Sequence, residues 1–125
     1  MNTTLMIIDD DVEFLDELSE LFVLSGYEVE SFSDGNAALH AAESSKPDFI
    51  LLDLNMPVIN GFEVTRKIRE IPQCKNTPLA IMTGFYSEDE IKDFSNKYNI
   101  SYIFQKPLIP VDVLLAIGEL LDIDN

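Results

Sequence analysis

The sequence predicts an α/β fold in which a doubly wound, five-stranded parallel sheet is flanked by five helices. Short apolar runs alternate along the 125 residues with segments whose apolar side chains recur every three or four positions, a pattern of alternating strands and amphipathic helices. Several runs are continuously apolar, as expected for strands buried on both faces of a parallel sheet. Because the length suits one hydrophobic core, we expect a single domain over residues 1–125.

The first part of the chain is predicted to form a strand, a helix and a second strand. We place a buried strand at residues 5–8 and a helix at residues 12–24, where the apolar side chains share one face. Asp11 is expected to cap this helix, and Gly26 follows its end. Residues 27–30 alternate between polar and apolar, which is typical of an edge strand.

The middle of the chain predicts a central strand between two helices. The turn residues 33–35 open a helix that extends to about residue 45. The central strand, residues 49–52, is wholly apolar and stops at Asp53. A further helix is expected at residues 61–71, where apolar side chains lie among charged ones.

The last part of the chain predicts two more strands and two more helices. An apolar strand at residues 79–82 precedes a helix at residues 87–98, which opens on a capping box of Ser87 and Glu90. A strand at residues 100–104 and a helix at residues 110–121 complete the pattern. Strands joined by crossover helices are parallel, so the alternation itself predicts the parallel sheet.

Charge and composition exclude several classes of function. The formal net charge is −15, so the chain alone should be repelled by nucleic acid and by anionic membrane surfaces. No apolar run reaches the length of a membrane span. Cys74 is the single cysteine and cannot form an internal disulfide, which fits a reducing cytoplasm.

Polar residues follow the ends of the predicted strands. They are Asp9, Asp10 and Asp11 after the first strand, Asp53 after the third, Thr83 after the fourth and Lys106 after the fifth. In a parallel sheet these ends meet at one edge, where open α/β folds bind ligands. Clustered carboxylates repel unless a cation joins them. Mg²⁺ suits such a site and leaves room for a phosphate oxygen, and a carboxylate can take a phosphoryl group as an acyl phosphate.

These residues resemble the motifs of the response-regulator receiver domain of two-component signalling. The matching segments are residues 7–11, residues 51–57 with Gly61, Met82-Thr83-Gly84 and Lys106-Pro107. The resemblance covers essentially the whole chain and implies a flavodoxin-like fold with strand order 2-1-3-4-5. It also implies a phosphoacceptor signalling domain that promotes only its own phosphorylation and dephosphorylation and is not an enzyme in the usual sense.

The resemblance implies a phosphoacceptor and a metal site. Asp53 would take the phosphoryl group from a phosphohistidine. Asp10 would bind Mg²⁺ directly and Asp9 largely through water, while Asp53 and the backbone carbonyl of Asn55 would complete the ligand set. Mn²⁺ is the alternative cation.

The resemblance also assigns the residues that hold and report the phosphoryl group. Lys106 would pair with phosphoryl oxygens, and the hydroxyl of Thr83 would bind one of them. Asp11, Gly84 and Pro107 are secondary site residues, and the Lys106-Pro107 bond is expected to be cis.

Ile103 is a departure from the receiver pattern. Many receivers carry a tyrosine or phenylalanine three residues before the lysine, and here that position is Ile103. On an alternating strand the neighbouring Tyr102 and Phe104 share the opposite face. The hypothesis is that signalling relies on Thr83 and on loop movement, without a large ring flip.

The implied partners are proteins. A sensor histidine kinase or a histidine phosphotransfer protein would supply the phosphoryl group, and a stand-alone receiver would act as a relay intermediate or a diffusible effector. The last helix carries more apolar residues than one core face needs, so Val111 and Leu115 are expected to form an exposed patch for a downstream effector or a dimer mate. We expect a monomer or a weak dimer in the cytoplasm.

Three other functions compete with this interpretation. An aspartyl-phosphate phosphohydrolase would need an acid two residues after the nucleophile, where this chain has Asn55. A flavin-binding module would need a glycine- and hydroxyl-rich phosphate loop in place of Asp9-Asp10-Asp11. A pseudo-receiver would bind proteins without phosphorylation, although the residues that the chemistry requires are present.

Overall fold

The computed structural model describes residues 2–121, and these form one parallel sheet in the order β2-β1-β3-β4-β5. The predicted fold class is therefore confirmed, whereas the domain ends predicted at residues 1 and 125 lie outside the described residues. The strands β1 to β5 are Thr4–Ile8, Glu28–Phe32, Phe49–Asp53, Leu79–Thr83 and Tyr102–Gln105. The helices α1 to α5 are Val12–Leu24, Gly35–Ser45, Gly61–Glu70, Lys92–Lys97 and Pro110–Leu121, and Pro72–Cys74 form a short 3₁₀ turn.

The burial of each strand follows its place in the sheet. The inner strands β3 and β4 are buried at every residue, in keeping with their continuous apolar sequence. The edge strand β2 contains only exposed and half-buried residues. Between β3 and β4, Asp53 is paired with Met82, so the acid at the end of β3 lies level with the end of β4.

Two hydrophobic cores cover the two faces of the sheet. The core under α1 and α5 includes Leu15, Phe22 and Val113, and the core under α2 and α3 includes Ala38, Val64 and Ile68. Because helices cover both faces of the sheet, a ligand can reach the strands only at the loops along their carboxyl edge. Among the described residues, no helix combines the length and the apolar character that a membrane crossing requires.

Local side-chain bonds explain where three of the helices begin. The carboxylate of Asp11 accepts the N–H of Phe14 at the start of α1, as the sequence predicts. Asp34 caps α2, and Asn60 caps α3 through the N–H of Glu63. These caps fix the first turns of helices that start beside the carboxyl edge of the sheet.

Gly61 lets α3 start directly against the end of β3. A Cβ atom at this position would lie 2.3 Å from the backbone carbonyl oxygen of Asp53, which is closer than packed atoms approach. The N–H of Gly61 also donates to the carbonyl of Leu54. The glycine of the motif thus sets the close contact between helix and strand that holds Asp53 in place.

The predicted α4 is too long. Ser87 and Glu90 do form the predicted capping box, since each side chain accepts the other residue's backbone N–H. The box closes only a turn, however, and the regular helix begins at Lys92 and ends at Lys97. A local side-chain interaction is therefore satisfied here without committing the backbone to a helix.

All five strands and α3 differ by one or two residues from the predicted bounds; β1 begins one residue earlier, at Thr4, and β3 includes Asp53. β2 and β5 each extend farther toward the carboxyl edge and begin later than predicted, and β4 includes Thr83. These residues are paired with the neighbouring strand, as in the pairs Ile8 with Phe32 and Thr83 with Gln105. Hydrogen-bonded pairing with the neighbouring strand determines where these strands end. A local sequence pattern does not contain this information. α3 ends at Glu70, one residue earlier than predicted.

Candidate functional site

Three carboxylates and one ammonium group meet at the carboxyl edge of the sheet. Asp9 follows β1 and is fully buried, Asp53 ends β3 and is almost fully buried, and Asp10 is exposed. One carboxylate oxygen from each lies within 4.8 Å of the others. The Nζ atom of Lys106, after β5, is 3.4 Å from Oδ2 of Asp9 and 3.4 Å from Oδ2 of Asp53.

Backbone amides orient the two buried carboxylates. The N–H of Asp11 donates to Oδ1 of Asp9 at 3.0 Å, and the N–H of Asn55 donates to Oδ1 of Asp53 at 3.1 Å. In each case the donor is two residues downstream, in the loop that follows the strand. Because the Oδ1 atoms are engaged, the Oδ2 atoms of both carboxylates are directed at Lys106.

The electrostatics of the site resist ionisation of the acids. Burial, and then the charge of Asp9, raise the pKa of Asp53 from 3.8 to about 6, although the N–H of Asn55 and the charge of Lys106 oppose this. Burial likewise raises the pKa of Asp9, against the N–H of Asp11 and Lys106. For Lys106, burial acts to lower the pKa, but the charges of Asp9 and Asp53 outweigh it and the pKa is raised.

The donor set of this cluster fits a hard divalent cation. All of its candidate ligands are oxygens, two of the three carboxylates are buried, and one lysine lies beside those two. Such a site is under-neutralised without a cation, and Mg²⁺ prefers a few carboxylates together with water. The exposed Asp10 leaves the site open to solvent on one side. Asn55 lies in the adjoining loop, and the metal role of its carbonyl stays a prediction.

Thr83 connects the site to the loop between β4 and α4. Its side chain is fully buried, and Oγ1 accepts the N–H groups of Phe85 and Tyr86, each at 3.1 Å. Its backbone carbonyl accepts the N–H of Lys106 at 2.9 Å. The threonine and the lysine are thus tied together through the main chain of neighbouring strands.

The secondary residues also lie around this edge. Asp11 both caps α1 and orients Asp9. A Cβ atom at Gly84 would be in ordinary contact with the side chain of Lys106, 3.7 Å away. The Lys106-Pro107 peptide bond is cis, as the resemblance predicts.

The strand β5 has the side-chain arrangement predicted from its alternation. Ile103 packs toward the core under α2 and α3, while Tyr102 and Phe104 pack toward α1 and α5 with their rings stacked. The hydroxyl of Tyr102 is hydrogen-bonded to Glu119 of α5. The aromatic residues of β5 therefore face away from the layer that contains Ile103.

Two residues near the site were missed by sequence reasoning. The ring of Phe14 lies 5.8 Å from the Nζ atom of Lys106, a contact that adds a weak cation–π attraction. The side chain of Gln105 donates to the carbonyl of Tyr86 at 3.0 Å. Helical spacing assigns Phe14 to the core, and nothing in the local sequence points to Gln105, since its partner lies in another loop.

Comparison with known proteins finds one family model that matches most of the chain. The family model described as "Response regulator receiver domain" matches residues 5–118. The transcriptional regulatory protein PrrA of Mycobacterium tuberculosis is 35% identical over 85 residues, which are 68% of this chain and 36% of PrrA. The chain thus aligns with about a third of the length of such relatives.

Solved structures share the whole fold. The chemotaxis protein CheY4 of Vibrio cholerae superposes with a TM-score of 0.87 at 29% identity, covering 95% of this chain and 98% of CheY4. The receiver domain of the sensor histidine kinase PA1611 of Pseudomonas aeruginosa superposes with a TM-score of 0.83 at 20% identity, covering 95% of this chain and 97% of that one. The PA1611 structure has a magnesium ion coordinated in its active-site cleft, but at this identity it shows only that the fold is shared.

Proposed function

The chain belongs to the response-regulator receiver family of two-component systems, and on that premise we propose that it receives a phosphoryl group on Asp53. The observation that carries the proposal is the position of Asp53, almost buried beside Asp9 and 3.4 Å from the only lysine at this edge among the described residues. A histidine kinase or a histidine phosphotransfer protein is the proposed donor, so the domain passes on a signal and does not turn over a metabolite.

The proposed reaction is a direct transfer from nitrogen to oxygen. A carboxylate oxygen of Asp53 attacks the phosphorus of a phosphohistidine, an O–P bond forms, and the N–P bond breaks with its electron pair returning to the imidazole. The nucleophile must be ionised. With a pKa of about 6, Asp53 is mostly ionised at neutral pH, and the raised pKa makes it a better nucleophile than an exposed aspartate.

Asp9, Asp10, Asp53 and the carbonyl of Asn55 are the proposed metal ligands. Bound Mg²⁺, or Mn²⁺ as the alternative, would neutralise charge on the acids and on the incoming phosphoryl oxygens. The oxygen-only donor set supports this assignment, and the magnesium ion of the PA1611 receiver occupies the cleft of a related fold.

Lys106 and Thr83 are the proposed phosphoryl-binding side chains. Lys106 already contacts Oδ2 of Asp53, so a phosphoryl group on that carboxylate would remain within reach of the ammonium group. Thr83 uses its hydroxyl oxygen to accept two backbone N–H groups. A hydroxyl has two lone pairs and one proton, so the O–H of Thr83 is left to donate to a phosphoryl oxygen.

The outer face of α5 is the proposed surface for a downstream protein. Val111 and Leu115 are 55% and 68% exposed, whereas Val113 and Ile117 on the inner face are buried. Two large apolar side chains one turn apart offer a compact contact for an effector, with a weak dimer as the other occupant. We propose that this signalling takes place in the cytoplasm, in keeping with the single, reduced Cys74.

Intact-mass measurement with acetyl phosphate tests the proposal. The protein is incubated with acetyl phosphate and Mg²⁺, and a single phosphoryl adduct is expected. The adduct should be lost in Asp53→Asn and after removal of Mg²⁺, but retained in Asp16→Asn, a matched change at an exposed residue of α1. A folded protein that forms no adduct with acetyl phosphate or with a phosphohistidine donor would contradict phosphorylation and leave the pseudo-receiver.

A further inference from the structure

The loop between β4 and α4 contains an aromatic residue, Tyr86, whose backbone N–H is hydrogen-bonded to Thr83 of the proposed phosphoryl site. We propose that Tyr86, in the loop after β4, couples the state of Asp53 to α4. Tyr86 would act as a positioning residue, because it touches Thr83 and not the phosphoryl group. This inference rests on the proposed phosphorylation of Asp53.

Both backbone polar groups of Tyr86 form hydrogen bonds, one with the proposed phosphoryl-binding Thr83 and the other with the residue before Lys106. Its N–H donates to Oγ1 of Thr83 at 3.1 Å, and its carbonyl accepts the side-chain amide of Gln105 at 3.0 Å. Gln105 directly precedes Lys106, whose own N–H is bonded to the carbonyl of Thr83. Any displacement of Oγ1 of Thr83 toward a phosphoryl oxygen must therefore carry the Tyr86 amide with it or break that hydrogen bond.

The ring of Tyr86 connects this bond to α4. It meets the ring of Phe62 edge-on, with 5.4 Å between the ring centroids, and Phe62 meets Phe94 at 4.8 Å. The ring centroid of Phe94 in turn lies 5.1 Å from that of Tyr98, the residue that directly follows α4. We call these four residues the aromatic row. Edge-to-face contacts depend on ring orientation, so displacement of the first ring changes the packing of the next.

The aromatic residues of β5 are unsuited to the same role. The site usually occupied by the moving ring is Ile103, and the stacked rings of Tyr102 and Phe104 lie in the opposite layer, beside α1 and α5. The loop of Tyr86, by contrast, borders an open cleft of about 730 Å³. There is space for this loop to rearrange on its solvent side, while the half-buried Tyr86 packs against the core under α2 and α3.

Fluorine NMR on the four tyrosines provides the test. The protein is labelled with 3-fluorotyrosine, each resonance is assigned with a Tyr→Phe variant, and beryllofluoride with Mg²⁺ serves as the phosphoryl mimic. The resonances of Tyr86 and Tyr98 should shift, while those of Tyr27 and Tyr102 stay in place. No shift should occur in Asp53→Asn. A silent Tyr86, or a response confined to Tyr102, would overturn the inference.

A break in the aromatic row distinguishes coupling from a local response. In Phe62→Leu, Tyr86 should still respond to beryllofluoride, but the response of Tyr98 should disappear. Phe85→Leu is the matched control, because Phe85 lies in the same loop, is 78% exposed and is outside the row. If Tyr98 still responds in Phe62→Leu, the row does not carry the signal.

Acetyl phosphate separates failure of this inference from failure of the proposed function. An adduct on Asp53 together with a silent Tyr86 would leave phosphorylation standing and refute the coupling. Neither an adduct nor any response to beryllofluoride would refute both.

Discussion

Asp53 combines two properties that oppose each other in a folded protein: it is buried, and it must be charged to act. Its neighbour Asp9 has the same difficulty, and Lys106 lies between the two carboxylates at equal distances of 3.4 Å. One ammonium group cannot neutralise both acids. The buried negative charges of Asp9 and Asp53 at the proposed phosphorylation site should therefore destabilise the fold at neutral pH.

Replacement of Asp53 by asparagine should stabilise the protein at neutral pH. Because folding raises the pKa of Asp53 from 3.8 to about 6, its ionisation favours the unfolded state as the pH rises through this interval. The neutral amide avoids this, and we expect a gain of about 2 kcal/mol in unfolding free energy at pH 7. The gain should be much smaller at pH 4, where Asp53 is protonated in the folded state and about half protonated in the unfolded state, and should vanish only well below pH 3.8.

Urea denaturation at the two pH values checks this prediction. Asp16→Asn, on the exposed face of α1, is the matched control and should change little at either pH. An Asp53→Asn protein that is no more stable than the parent at pH 7 would show that Lys106 already compensates the buried charge.

Val58 should be replaceable with a gain in stability. It has a φ of +69° and is 97% exposed, in the loop that follows Asp53. A β-branched residue is strained in this left-handed conformation, whereas asparagine tolerates it. We expect Val58→Asn to raise the unfolding free energy by about 1 kcal/mol. Val23→Asn, at an exposed helical position, should bring no gain in the same thermal melts, and equal effects of the two changes would contradict the strain.

At the scale of elements, the side chain of Arg69 on α3 joins three segments that lie outside its own helix. Its guanidinium group donates to the carbonyls of Tyr98, Cys74, Thr77 and Asn99, at distances of 2.8 to 3.1 Å. These carbonyls belong to the end of α4, the 3₁₀ turn and the approach to β4. One half-buried side chain of α3 thus supplies hydrogen-bond donors to four backbone carbonyls outside the α-helices and strands.

Arg69→Met should destabilise the fold far more than Arg66→Met. The first change keeps the aliphatic stem but leaves four carbonyls without their donor, so we expect a loss of about 3 kcal/mol. Arg66 lies on the same helix and forms ion pairs with Glu63 and Glu70 at the surface, so its replacement should change the unfolding free energy little. Similar urea midpoints for the two variants would refute the bridging role of Arg69.

Sequence patterns predict elements best where one strong local signal determines them. The bounds of α1 and α5 agree with prediction because helical spacing and flanking residues mark both ends. The error at α4 arises where a capping box is satisfied by a mere turn. The site residues are predictable because each follows an apolar strand, but the pKa of Asp53 and the contacts of Gln105 depend on burial and on distant partners, which no local pattern encodes.

At the scale of the whole molecule, the negative charge is concentrated in the first part of the sequence. The first 45 residues contain no lysine or arginine, and two of the three clustered acids, Asp9 and Asp10, belong to this stretch. A bound divalent cation would lower the repulsion between the clustered acids. Metal binding should therefore be linked to folding.

Mg²⁺ should raise the melting temperature, and this effect should depend on pH. A ligand that binds only the folded state stabilises it by mass action. Because protonated Asp53 is a poor ligand and its pKa is about 6, the stabilisation should be present at pH 7.5 and greatly reduced at pH 5. Thermal melts of the parent and of Asp10→Asn check this, with Mn²⁺ in parallel. A shift of equal size in Asp10→Asn would place the cation elsewhere.

The account depends most on which of the three clustered carboxylates forms the acyl phosphate. Borohydride reduces an aspartyl phosphate to homoserine, so peptide mapping after phosphorylation and reduction identifies the modified residue. The account predicts homoserine at position 53 and unmodified aspartate at positions 9 and 10, in reactions that contain Mg²⁺. Homoserine at Asp9 or Asp10, with Asp53 intact, would contradict it.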